Sequence, residues 1–164
     1  MVAARTDAQV LFDASHGRLV MDKQAFINVL TSRPWEHLRA VCSFFVRQAK
    51  YDVKQTIEQH MSGSDTGYAL HTIVQHAQNP SYLWAITLRD SLRKFDKDSN
   101  KRRLFRVVAR QCEIDMETIK EVFCSSRFGH WDGRDFADWL RRHVDDDRLR
   151  RAVALLTVTH VASD

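Results

Sequence analysis

Apolar residues recur every three or four positions along nearly the whole chain. That is the period of an amphipathic helix, not the alternation of a half-buried strand. A first helix is predicted over Asp7 to Ala14, ended by the polar stretch Ser15-His16-Gly17-Arg18. Asp22 is placed to cap a second helix with Phe26, Val29 and Leu30 on one face, because a carboxylate there accepts the free N–H groups of a first turn. Pro34 suits a first helical turn, so a third helix is predicted from there with Leu38, Val41 and Phe45 inward. Val53, Ile57 and Met61 stack at four-residue spacing on a short fourth helix. Ser62-Gly63-Ser64-Asp65 breaks the pattern, and a fifth helix carries Leu70, Ile73, Val74 and Ala77 up to Asn79-Pro80.

The same succession returns after Pro80. A long helix runs through Leu88, Leu92 and Phe95 to the polar loop Asp96–Asn100. Helices built on Leu104, Val107 and Val108, then on Met116, Ile119 and Phe123, come next. The stretch Phe128–Gly133 leads to a helix with Phe136, Trp139 and Leu140. Asp145-Asp146-Asp147 starts the last helix, where acids suit the helix dipole and Leu149, Ala152, Val153 and Leu156 face inward. A shift of 78 positions sets Phe26 on Leu104, Val29 on Val107, Leu38 on Met116, Val41 on Ile119 and Phe45 on Phe123. A shift of 83 then sets Ile57-Glu-Gln-His-Met on Leu140-Arg-Arg-His-Val, which implies a five-residue insertion near Gly129–Gly133. The expected fold is all-α, with two tandem five-helix repeats at residues 1–78 and 79–164.

Composition fits that expectation: 44% of the 164 residues are apolar and 28% charged, with only two Pro and five Gly. The longest apolar stretches, such as Ala152–Leu156, are far too short to cross a bilayer. Met1 to Gln9 lacks the hydrophobic run of a signal peptide. Cys42, Cys112 and Cys124 form an odd set without metal-ligand spacing, which points to reduced thiols and a cytoplasmic location. The net charge of +4 suits an acidic partner, anionic lipid or nucleic acid, and equally suits a mildly basic solvated surface. Basic stripes lie at Lys101-Arg102-Arg103 with Arg106, and at Arg141-Arg142 with Arg148, Arg150 and Arg151. The acids Asp138 and Asp145 to Asp147 interleave with them and argue against nucleic acid as the partner. His71 and His76 are five apart, and neither His37 with Cys42 nor His130 with Cys124 has ligand spacing. With no Ser/His/Asp order, phosphate-cradling glycine loop or carboxylate pair, no enzymatic activity is expected.

Three segments resemble the annexin family: Asp7-Ala-Gln-Val-Leu-Phe-Asp-Ala, Phe26-Ile-Asn-Val-Leu-Thr-Ser-Arg-Pro-Trp-Glu-His-Leu-Arg, and Leu104-Phe-Arg-Val-Val-Ala-Arg-Gln-Cys-Glu-Ile-Asp-Met. The last is similar to the family's leucine-isoleucine-arginine-valine run followed by glutamate-isoleucine-aspartate. Asn79-Pro80-Ser-Tyr-Leu resembles the linker that starts a fourth repeat, so nearly the whole chain is similar to the third and fourth repeats of an annexin. The resemblance implies five-helix annexin-like repeats packed side by side, with a convex face that binds calcium bridged to anionic phospholipid. In that pattern a Gly-x-Gly-Thr loop between the first two helices offers carbonyls, and an acid at the end of the fourth completes the shell. Such a shell suits a hard cation that takes six to eight oxygens.

This chain departs from the pattern. Val20 and Met21 stand where glycine and threonine belong, and His60, a poor calcium ligand, holds the acidic position. In the second copy the loop reads Asp96-Lys97-Asp98-Ser99, and the acidic position falls on His143 or Val144. Asp96, Asp98 and Asp145 remain to hold calcium weakly, and the same acids also fit a solvated loop and a helix N-terminus. An EF-hand is excluded, since Lys101 and Val107 stand where glycine and glutamate are required. Leu19 and Val20 sit where the family's third repeat exposes an apolar tip, next to Arg18 and Lys23. Such a tip either inserts shallowly, with its cations on lipid phosphate, or folds back on its own helices.

The resemblance therefore implies peripheral binding to anionic phospholipid membranes in the cytoplasm, with weak or altered calcium dependence. The alternative is a calcium-independent protein-binding scaffold at the cytoskeleton, as in the giardins. The family carries four repeats and this chain two, so a homodimer or derivation from a longer product is expected to cover the apolar helix faces.

Overall fold

The computed structural model describes residues 2–93, 98–125, 147 and 151. The expectations placed on Phe95, Asp96, the 128–133 stretch, the helices through Phe136 and Leu149, and Asp145 lie outside them. Among the described residues the regular structure is helical: α1 (Val2–Ser15), α2 (Lys23–Ser32), α3 (Trp35–Ala49), α4 (Val53–Met61), α5 (Asp65–Gln78), α6 (Pro80–Arg93), α7 (Asp98–Gln111) and α8 (Met116–Cys124). The chain divides into two compact units, residues 1–80 and 81–164. None of the described helices is long and apolar enough to cross a membrane.

In the first unit each helix brings its apolar stripe to one core. Leu11 of α1, Phe26 and Leu30 of α2, Leu38, Val41 and Phe45 of α3, Val53, Ile57 and Met61 of α4, and Leu70, Val74 and Ala77 of α5 are all buried there. Phe45 lies edge-on to Phe12 and Tyr51, with ring centroids 6.5 and 5.8 Å away. That geometry opposes the ring quadrupoles favourably and adds to the burial.

Local chemistry sets the helix ends. Pro34 is the N-cap of α3 and Trp35 its first helical residue, one place later than expected. The helix stops at Lys50, whose N–H still reaches the Val46 carbonyl at 3.0 Å and whose left-handed φ of 67° then turns the chain away. Asp52 then closes a capping box on α4 with Gln55. Gln78 Nε2 donates to both oxygens of the same carboxylate, at 3.3 and 3.1 Å, and so ties the end of α5 to the start of α4. Ser64 Oγ accepts the Gly67 N–H at 3.0 Å to cap α5. A Cβ at Gly67 would run into the Met61 carbonyl, so only glycine lets α5 start this close to α4.

α1 begins five residues before the predicted Asp7, and Asp7 is itself buried. A charge is tolerated in the core only when it is paired and hydrogen-bonded. Arg33, at the end of α2, supplies two hydrogen bonds to Asp7, Nε to Oδ2 at 2.8 Å and Nη2 to Oδ1 at 3.2 Å. His37 Nε2 of α3 lies 2.8 Å from Oδ2. The Arg33 guanidinium holds the Asp7 carboxyl below its usual range, against the opposing effect of burial and with His37 adding to the lowering. One carboxylate thus fastens three helices.

The second unit buries Ala85, Leu88 and Leu92 of α6 with Leu104, Val107 and Val108 of α7 and Met116, Ile119 and Phe123 of α8. α7 starts at Asp98, inside the predicted polar loop, with that acid in its first turn. A polar chain crosses this unit. With the Gln111 amide turned as its two neighbours require, Trp84 Nε1 donates to its oxygen at 2.9 Å and its nitrogen donates to Asp115 Oδ1 at 2.9 Å. Ser81 Oγ completes it by donating to Asp115 Oδ2 at 3.0 Å.

Candidate functional site: the turn between α1 and α2

The turn at residues 16–21 is fixed at both ends and free in the middle. At its start the His16 N–H donates to the Phe12 carbonyl at 2.7 Å, and the His16 ring stacks on Phe12 with centroids 4.4 Å apart. Gly17 then takes a φ of +70°, where a side chain would be strained. At its end Met21 is buried, and the Asp22 N–H returns to the Ala14 carbonyl at 2.9 Å. Asp22 also caps α2, its Oδ1 accepting from the N–H groups of Gln24 at 3.0 Å and Ala25 at 3.2 Å.

Between these anchors Leu19 is fully exposed and Val20 is 77% exposed. Arg18 and Lys23 on either side are exposed as well. The turn therefore presents two apolar side chains flanked by two cations. An apolar tip of this kind can enter the boundary between headgroups and acyl chains while its cations meet phosphate.

Between its anchors the turn offers a hard cation no carboxylate. It contains no acidic side chain from His16 to Met21, and the Asp22 carboxylate already serves two backbone donors. His60 is part-buried near the end of α4. Beyond it, an open depression of about 530 Å³ by the α4–α5 turn is lined by Ile57, Met61 and Tyr68 among others. Two acids line it: Asp65 opens α5, and Glu58 pairs with His71 at 3.1 Å. Asp98 is exposed at the start of α7, with one carboxylate oxygen 4.0 Å from Lys101 Nζ. Asp96 and Asp145 lie outside the described residues, and among those described no three His, Cys, Asp or Glu side chains converge on a point. The Cys42 thiol is buried and pushed up to about 12 by desolvation, which leaves it protonated and inert.

Residues 6–65 match the profile of the Annexin family. The chain is similar to human Annexin A13, at 31% identity over 153 residues that make up 93% of this chain and 46% of that protein. Its fold matches that of a structure of annexin III, with a TM-score of 0.80 at 22% identity, covering 95% of this chain and 46% of the other. It also matches a crystal structure described as calcium-bound annexin (Sm)1, with a TM-score of 0.76 at 18% identity, covering 95% of this chain and 43% of that one. The chain thus spans about half the length of these relatives.

Proposed function

The chain belongs to the annexin family, and from that premise we propose that it binds anionic phospholipid membranes peripherally, with weak or altered dependence on calcium. We read residues 1–78 and 79–164 as the equivalents of a third and a fourth annexin repeat. The observation that carries the proposal is the α1–α2 turn, where Leu19 and Val20 stand exposed between Arg18 and Lys23. Folding leaves two apolar side chains in water at a place fixed from both ends. An apolar surface would relieve that cost, and lipid phosphate would take the cations.

The same turn supports the altered calcium dependence. Val20 and Met21 replace the glycine and threonine of the family's loop, and the side chain of Met21 is buried. With Asp22 Oδ1 engaged as a cap and His60 in the acidic position, residues 16–21 themselves offer calcium carbonyl oxygens and no carboxylate.

Vesicle co-sedimentation with and without calcium, at low and high salt, tests this directly. Binding to phosphatidylserine-containing vesicles is expected to persist in chelator. The double variant Leu19→Asp/Val20→Asp is expected to bind about tenfold more weakly, the scale of losing one modest apolar insertion. No vesicle binding in any of the four conditions removes the proposal. Partners captured in the presence of both detergent and chelator, without lipid binding, would favour the scaffold alternative.

A further inference from the structure

We propose that the exposed face of α7 is a second contact for anionic phospholipid headgroups, one that requires no metal ion; it rests on the membrane reading above. α7 buries Leu104, Val107, Val108 and Gln111. At 100° per residue, Arg102, Arg103, Arg106 and Arg110 fall within an arc of about 100° on the opposite face. They span about 12 Å along the axis at the helical rise per residue. All four are exposed, and none has an ion-pair partner among the described residues.

No acid occurs from Ser99 to Cys112. Asp98 lies at the beginning of the helix beside Lys101, and Glu113 marks the other end of the patch. Four like charges held this close repel one another, so the face is lowered in energy by any dense layer of anions. Guanidinium forks donate to phosphate oxygens in pairs, which an ammonium does not do as well.

Two neighbours favour a lipid surface over a polymeric phosphodiester. Phe105, at the edge of the arginine arc, is 37% exposed, and Ile114, just beyond the helix, is 72% exposed. Apolar groups beside cations match the interface of a bilayer, where phosphate and hydrocarbon lie within a few ångströms of each other. A nucleic-acid backbone takes the arginines but offers Ile114 nothing.

The test compares three proteins in chelator on phosphatidylcholine vesicles with and without phosphatidylserine. Wild type is expected to bind only the anionic vesicles, more weakly as salt rises. Arg102→Gln/Arg106→Gln/Arg110→Gln is expected to lose about fivefold per arginine, roughly a hundredfold in all. A charge-matched control, Arg5→Gln/Arg47→Gln/Lys50→Asn, is expected to lose less than about threefold, and thermal unfolding of both variants should stay near wild type. Equal vesicle binding by the α7 variant and wild type overturns the inference while leaving the membrane proposal standing. So does preferential binding of single-stranded RNA through the same arginines. A change in mass by light scattering, with vesicle affinity unmoved, would reassign the face to contact between copies and overturn it as well. If wild type ignores anionic vesicles altogether, the membrane proposal and this inference fall together.

Discussion

The two units fasten their first helix by different chemistry at matching places. In the first, Asp7 of α1 pairs with Arg33 and His37 across 2.8–3.2 Å. In the second, Trp84 takes the place of Asp7, Gln111 that of Arg33 and Asp115 that of His37, at offsets of 77, 78 and 78 positions. There an indole N–H and an amide make the bridge, with Ser81 holding the far carboxylate. The apolar positions around each bridge stay the same. Phe26, Val29, Leu38, Val41 and Phe45 are buried in one unit, and Leu104, Val107, Met116, Ile119 and Phe123 in the other. Packing fixes where the side chains go, while the polar tie between the helices is free to be ionic or neutral, provided that it is satisfied.

Five substitutions break or sharpen this comparison. The largest effect is expected from its shared part: Phe45→Ala and Phe123→Ala should each cost about 3–5 kcal/mol in chemical denaturation, as deleted core rings do. A tolerant response at one of the two would mean that the inner faces are not equivalent after all. Next come the bridges. Asp7→Asn should cost roughly 2 kcal/mol at neutral pH by removing charge-assisted hydrogen bonds, and Trp84→Phe about 1–2 kcal/mol by leaving the buried Gln111 oxygen without its donor. Their pH dependence separates them. The folded Asp7 carboxyl lies below its unfolded value, so its contribution is complete above about pH 4 and is lost as the pH falls through the lowered one. Stability curves of wild type and Asp7→Asn should therefore converge in acid. Parallel curves down to the lowest pH would contradict the ionic description. Smallest is the cap, where Asp22→Ala should cost about 1 kcal/mol and loosen the end of the α1–α2 turn.

Much of the fold was legible because helical period records burial. Leu38, Val41 and Phe45, then Val53, Ile57 and Met61, are buried as their spacing requires. The cap at Asp22 was readable from residue type and position alone. The bridge at Asp7 was not. Its sequence signal is a carboxylate in phase with Ala4, Ala8 and Leu11, and nothing local names Arg33, 26 residues away, as its partner. Leu19 and Val20 show the opposite limit. Apolar character argues for burial as readily as for an exposed tip, and the choice is made by Gly17 and the buried Met21, which turn the chain so that only the middle faces outward.

The solvent faces diverge where the cores do not. A shift of 78 sets Gln24, Ala25, Asn28 and Ser32 of α2 against Arg102, Arg103, Arg106 and Arg110 of α7. Gln24 and Asn28 bond to each other at 2.8 Å and leave α2 with little net field, whereas α7 carries four guanidinium groups. The run at 101–103 with Arg106 was evident from the sequence. Arg110 belongs with them only once the helical phase is followed one further turn.

The anchoring of the turn at His16 and at Met21–Asp22 has a kinetic consequence. A loop held at both ends surrenders little motion when it docks, so arrival at a surface needs no rearrangement beforehand. Leu19 and Val20 would then set how long the protein stays, and the surrounding charge how often it lands.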